Sequence, residues 1–237
     1  MTELPQAKLN RYGWRYLIGM FIWPFIQLAL FLLVAQRTDN SRIWFCFAAN
    51  LIVLPAGTLV VARLNPDILN YRGRRRNKQG IKTWDKILIR LFGLFGFHLP
   101  VIVAAFDWAQ HQSTKFPLAV AAFGIVLLVA GNILFTWGMC VNRFFDTMVH
   151  IQADRHQTVV TSGPYQYVRH PGYTGAILWV LSAPLILGSG IALIPAVIGC
   201  VLLIVRTFIE DRMLRKELDG YTDYAARVRF RLIPGLW

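Results

Sequence analysis

His170–Val205 reads HPGYTGAILWVLSAPLILGSGIALIPAVIGCVLLIV, 36 positions without a charged side chain. As one helix rising 1.5 Å per residue it would be about 54 Å long, against a bilayer core of about 30 Å. Gly188-Ser189-Gly190, with Pro184 before it and Pro195 after it, supplies a turn near the middle. The stretch is therefore predicted to be a tight hairpin of two short apolar helices.

Four more runs of spanning length precede it: Tyr16 to Gln36, Ile43 to Ala62, Ile87 to Phe106 and Phe116 to Asn142. The third contains Arg90 one turn in, where a long side chain can reach the interface. The first is longer than the roughly 7–15 residues of a signal-peptide core and lacks a small-residue cleavage site, so it is read as a helix. The expected fold class is all-α, a polytopic membrane protein with about six spans.

Composition agrees. Of 237 residues, 56% are apolar and only 16% charged, and mean hydropathy is +0.47. A soluble domain carries roughly 25% charged residues. The formal net charge of +13 would suit nucleic acid in a polar chain, but this one is too apolar for a soluble binder. The run Arg72-Gly73-Arg74-Arg75-Arg76-Asn77-Lys78 has no aromatic stacking platform beside it. It reads as a loop that fixes topology and touches anionic lipid headgroups; no nucleic-acid partner is expected.

Six spans place both termini on one side. That side then holds 22 of the 25 basic residues, leaving Arg37, Arg42 and Lys115 on the other. The positive-inside rule makes the crowded side cytoplasmic, and a bacterial inner membrane is preferred over the endoplasmic reticulum. Gly124, Gly131 and Gly138 recur every seven residues and predict a close helix contact. Cys46, Cys140 and Cys200 lie in apolar runs without CxxC spacing, so neither a disulfide framework nor a zinc cluster is expected.

Polar residues concentrate on both sides of the hairpin. Residues 143–173 read RFFDTMVHIQADRHQTVVTSGPYQYVRHPGY, and 206–237 read RTFIEDRMLRKELDGYTDYAARVRFRLIPGLW. In a helix leaving the membrane, Arg206, Glu210 and Glu217 share a face near Leu214. Arg206 and Glu210, one turn apart, form either an ordinary ion pair or a functional pair. Gly220 is expected to end that helix, followed by Tyr221 and Tyr224 one turn apart.

Ser162-Gly163-Pro164-Tyr165 reads as a turn, and Arg169-His170-Pro171 stops what precedes the hairpin, with Pro171 able to open its first helix. Free amides there could instead face an anionic ligand group. Tyr165, Tyr167 and Tyr173 could hold a cation such as a sulfonium over their rings. His150, Asp154 and His156 fit no metal-binding template, so no metal is expected.

With these residues in view, VVTSGPYQYVRHPGYTG (Val159 to Gly175), the hairpin, and RTFIEDRMLRKELDGYTDYAARVRFRLIPG together resemble the isoprenylcysteine carboxyl methyltransferase family, grouped with the phospholipid N-methyltransferases. The loop from Asn65-Pro66-Asp67 to Gly80-Ile81-Lys82-Thr83-Trp84-Asp85 is similar to loops of bacterial members. The resemblance implies a membrane enzyme that uses S-adenosylmethionine, held between the RHP segment and the C-terminal helices, with a lipophilic acceptor reaching the methyl from the lipid side. It implies cofactor-binding roles for Tyr167, Val168, Arg169, His170, Pro171, Tyr173, Leu214, Glu217, Tyr221 and Tyr224. Arg206 and Glu210 match the family's polar pair and are the catalytic candidates. Asp211 stands where many members have a second Glu and is assigned no role.

The chain is accordingly divided into a four-span region, 1–141, with a basic loop at 63–86, and a catalytic region, 142–237. A carboxylate acceptor needs only an Arg to orient it; an amine must first lose a proton. Arg206 beside Glu210 suits either. The competing functions are a membrane NADPH-dependent reductase of the sterol type and a non-catalytic lipid-binding protein.

Overall fold

The computed structural model describes residues 8–74, 80–111 and 116–237. Arg75, Arg76, Asn77 and Lys78 of the basic run, and Lys115, lie outside the described residues. Among those described, every regular element is helical.

Asn10 caps α1 (Arg11–Ala35), its side chain accepting from the Tyr12 and Gly13 amides, and Asn40 caps α2 (Ser41–Leu64) likewise at Arg42. The short α3 (Pro66–Arg72) opens on a proline. α4 (Thr83–Gly93), a wide turn at Leu94–His98 and α5 (Leu99–His111) form one membrane-length rod. α6 spans Leu118–Val141. After a loop with two single 3₁₀ turns come α7 (Pro171–Leu187), α8 (Leu193–Glu217) and α9 (Tyr221–Arg227).

Five helices are long and apolar enough to cross a membrane, and α7, with 17 residues, is the shorter sixth. Leu33 and Ile52 are exposed by more than two thirds of their area, as lipid-facing side chains must be. The hairpin turns where expected: Gly188 sits at φ 78° and its amide returns to the Pro184 carbonyl. Its second arm is not short, however. α8 runs 25 residues to Glu217, carrying the apolar arm straight into the polar exit segment. It also stops before Gly220, which at φ 77° caps α9 instead.

The glycine heptad is a helix contact. A Cβ on Gly131 would lie 2.6 Å from the Gly175 carbonyl oxygen and 3.0 Å from the Trp179 amide of α7. α8 crosses the wide turn in the same way, a Cβ on Gly199 falling 2.7 Å from Gly96 Cα. Backbone meets backbone at both crossings, which van der Waals packing between membrane helices favours.

Gly131→Ala is therefore expected to cost about 1–3 kcal/mol through overpacking, read as a lower midpoint for unfolding by dodecyl sulfate. Gly19→Ala, where a Cβ meets open space, should leave the midpoint unchanged.

Candidate functional site

Asp211 of α8 is fully buried and gathers polar side chains from three other segments. Arg169 donates to it from Nε at 2.7 Å and from Nη2 at 3.1 Å. The Tyr221 hydroxyl donates at 3.0 Å, Arg231 Nε at 3.1 Å, and His170 Nε2 lies 3.5 Å away. Arg169 uses its Nη1 on the carbonyls of Val228 and Arg229, at 2.6 and 2.8 Å. The Arg169 and His170 amides donate to the carbonyls of Phe230 and Arg231. Two amides of the RHP segment are thus taken by the C-terminal strap. Sequence reasoning missed Asp211 because its partners lie up to 42 positions away.

This clamp holds one side of a cleft of about 820 Å³, mouth included. Arg169, His170, Tyr173, Glu210, Leu214, Tyr221 and Tyr224 all line it. The other candidates are placed differently. Tyr167 is 60% exposed and Val168 is buried. Pro171 opens α7, and Glu217 pairs with Lys82 at 2.8 Å. The opposite wall comes from 142–160, including Phe145, Asp146, His150, Gln152 and Gln157, a loop without helical periodicity to mark it. His150 hydrogen-bonds the Tyr71 hydroxyl at 3.0 Å.

The cleft's phenols keep their protons. Burial pushes the hydroxyls of Tyr165, Tyr221 and Tyr224 above their ordinary range, and for Tyr221 the Asp211 carboxylate adds to the effect. Tyr71 is pushed up to about 12 by burial and then by Asp146 and Asp154. Tyr224 donates to the Tyr165 carbonyl at 2.7 Å, and Asn142 donates to the Tyr165 hydroxyl at 2.9 Å. These bonds fix the floor on which Tyr221 and Tyr224 meet edge to face, 5.5 Å apart.

Arg206 does not form its close pair with Glu210. It donates to Asp85 of α4 at 2.6 and 3.2 Å, and to the Thr147 carbonyl at 2.6 Å. Glu210 instead accepts a short hydrogen bond from the Tyr173 hydroxyl. The Tyr173 ring lies under the Arg206 guanidinium at 5.1 Å and stacks on His170 at 5.6 Å. Glu210, Tyr173, Arg206 and Asp85 therefore form one chain of contacts across the bundle.

Arg206 lines a second, larger cavity of about 1270 Å³, mouth included. Its walls are mostly apolar, including Met20, Trp23, Leu54, Phe92, Phe97 and Trp179. Phe145, Asp146 and Tyr173 line both cavities, so a polar cleft and an apolar chamber share one wall.

Residues 124–216 match the family model of the isoprenylcysteine carboxyl methyltransferases. The chain is 30% identical over 112 residues to protein-S-isoprenylcysteine O-methyltransferase B of Arabidopsis thaliana, covering 46% of this chain and 57% of that protein. It is 29% identical over 69 residues to protein-S-isoprenylcysteine O-methyltransferase A of the same plant, 29% of this chain and 35% of that protein. A probable protein-S-isoprenylcysteine O-methyltransferase of Oryza sativa subsp. indica is 24% identical over 95 residues, 37% of this chain and 50% of that protein. The chain thus spans between about a third and a little over half of these relatives' length. The resemblance carried by the RHP and exit motifs is borne out across the matched region.

The buried Arg206–Asp85 pair yields a direct test. Asp85→Ala leaves a guanidinium unpaired and should cost about 3–5 kcal/mol, whereas Asp85→Leu with Arg206→Met should recover most of that. Dodecyl sulfate unfolding of the single and double variants measures both.

Proposed function

We propose that this chain, whose residues 124–216 carry the isoprenylcysteine carboxyl methyltransferase pattern, is a membrane methyltransferase with a lipophilic acceptor. The observation that carries the reading is the wall shared by the two cavities, Phe145, Asp146 and Tyr173. A water-soluble donor and a hydrocarbon acceptor need separate chambers that meet at the reacting atoms, and this arrangement supplies them.

The cleft's residues fit S-adenosylmethionine. Leu214, Leu218 and Met213 offer apolar faces to a base, and Gln157, Thr158 and His150 offer polar groups. Glu210 and Asp146 supply negative charge, and Tyr173 an aromatic face, where a cation would sit. Bound there, the cofactor would supply a methyl group on a sulfonium, open to in-line displacement.

The protein's own contribution is alignment and exclusion of water. The Glu210 carboxylate fixes the Tyr173 hydroxyl, and Arg206 lies over the ring. The wall between the chambers is thereby held from both sides. Placing two reactants in near-attack geometry accounts for much of the rate in transfers of this kind. The apolar chamber keeps competing water from the acceptor. Under this proposal 142–237 forms the catalytic region, and Asp85, from outside it, braces Arg206. The excess of basic residues on the cleft's side of the bundle supports a cytoplasmic cleft.

Purified protein should bind S-adenosylmethionine and S-adenosylhomocysteine in calorimetry, and Glu210→Gln should weaken S-adenosylmethionine binding by about tenfold, the loss of one charged contact to the sulfonium. Binding of NADPH with no response to S-adenosylhomocysteine would overturn the proposal in favour of a reductase.

A further inference from the structure

The outward stripe of α8 changes character within two turns. Val201, Ile204, Val205 and Phe208 are exposed on a helix of membrane-spanning length. Arg212, Arg215 and Lys216 come next and are exposed as well. Ile204, Phe208, Arg212 and Arg215 stand at i, i+4, i+8 and i+11, so they share one face. From Phe208 to Arg212 the helix rises about 6 Å. The stripe therefore passes from hydrocarbon to the headgroup layer in one turn, as a snorkelling arginine requires.

The strap that follows α9 returns to this boundary. The Arg231 guanidinium lies 5.8 Å from the Phe208 ring centre and 4.9 Å from that of Trp237, and Arg212 lies 5.1 Å from Phe208. Residues 231–237 fold back on themselves. The Trp237 carbonyl accepts the amides of Arg231, Leu232 and Ile233, and Gly235 turns the chain at φ 81°. Leu232 is buried beneath this turn, but Ile233 is 48% and Leu236 76% exposed. Residues 227–237 carry three arginines and no acidic residue. Arg231 is spent on Asp211, whereas Arg227 and Arg229 are exposed.

We infer that the turn at 231–237 is an interfacial anchor for an anionic bilayer surface. Ile233 and Leu236 enter the acyl boundary beside Phe208, and Arg212 and Arg229 meet the phosphates of anionic phospholipids. Apolar insertion and a cluster of cations are the two signals that together hold a segment at a membrane surface. The anchor also bears on the cleft. The strap gives its carbonyls to the Arg169 and His170 amides, to the Arg169 guanidinium and to the Thr174 hydroxyl. A strap lifted from the membrane surface would loosen all of these bonds at once, so the charge of the bilayer controls how firmly the RHP wall is held.

Hydrogen exchange in nanodiscs reads the docking of the strap with the cleft empty, so the outcome does not depend on what the cleft binds. In the wild type the Arg169 and His170 amides should exchange about tenfold more slowly in phosphatidylcholine containing a third of phosphatidylglycerol than in phosphatidylcholine alone, the effect of two arginines at an anionic surface. Arg212→Gln with Arg229→Gln should abolish that difference while matching the wild type in phosphatidylcholine, which also shows that the variant is folded. Ile233→Ser with Leu236→Ser should speed exchange at both amides in either lipid and leave α6 unchanged. Equal exchange of the wild type in the two lipids, an unchanged difference in the arginine variant, or no effect of the serine pair would overturn the inference. Equal slowing by inorganic phosphate over phosphatidylcholine would overturn it too, because a soluble anion would then suffice.

Discussion

The buried carboxylate of Asp211 is the constraint on which the site depends. An isolated carboxylate at that depth would be strongly disfavoured, so its cost must be met by partners held in place. Here the partners come from the RHP segment, the start of α9 and the C-terminal strap: Arg169, His170, Tyr221 and Arg231. Segments that would otherwise hang from the membrane surface are drawn onto one face of α8. His170 and Tyr173 are thereby stacked, and Tyr221 is set against Tyr224. The cleft is the space this charge cluster leaves beside the 142–160 loop.

A second buried pair, Arg206 with Asp85, performs a different task. It ties α8 to α4, and so ties the polar cleft to the helices that enclose the apolar chamber. Tyr173 sits between the two systems, bonded to Glu210 on one side and lying under Arg206 on the other. The same ring thus borders both chambers. This supports a function in which a polar and a lipophilic reactant meet at one wall.

Much of this was legible in the sequence. The spans were readable because a bilayer demands uncharged runs of fixed length. The hairpin followed from Gly188 within a run too long for one crossing. Arg169, His170, Tyr173, Glu210, Leu214, Tyr221 and Tyr224 reach one cleft because they lie at the polar ends of the hairpin's two arms and on the segments beside them. What escaped was the choice among competing charges. One-turn spacing suggested Arg206 with Glu210, but Arg206 takes Asp85, 121 positions away. Asp211, read as idle, gathers the cations. Helical spacing shows which residues can meet along one helix; it carries no information on carboxylates that other helices bring in. The 142–160 wall was hidden for the same reason.

The central claim is that the two chambers form one reaction site joined at Tyr173. The most direct measurement is transfer of a radiolabelled methyl group from S-adenosylmethionine into a lipid extract by the purified protein. The account predicts label in an organic-soluble product, strongly reduced by Tyr173→Ala, which removes the shared wall. No label in any lipid with the wild type, or undiminished labelling in the variant, would contradict it.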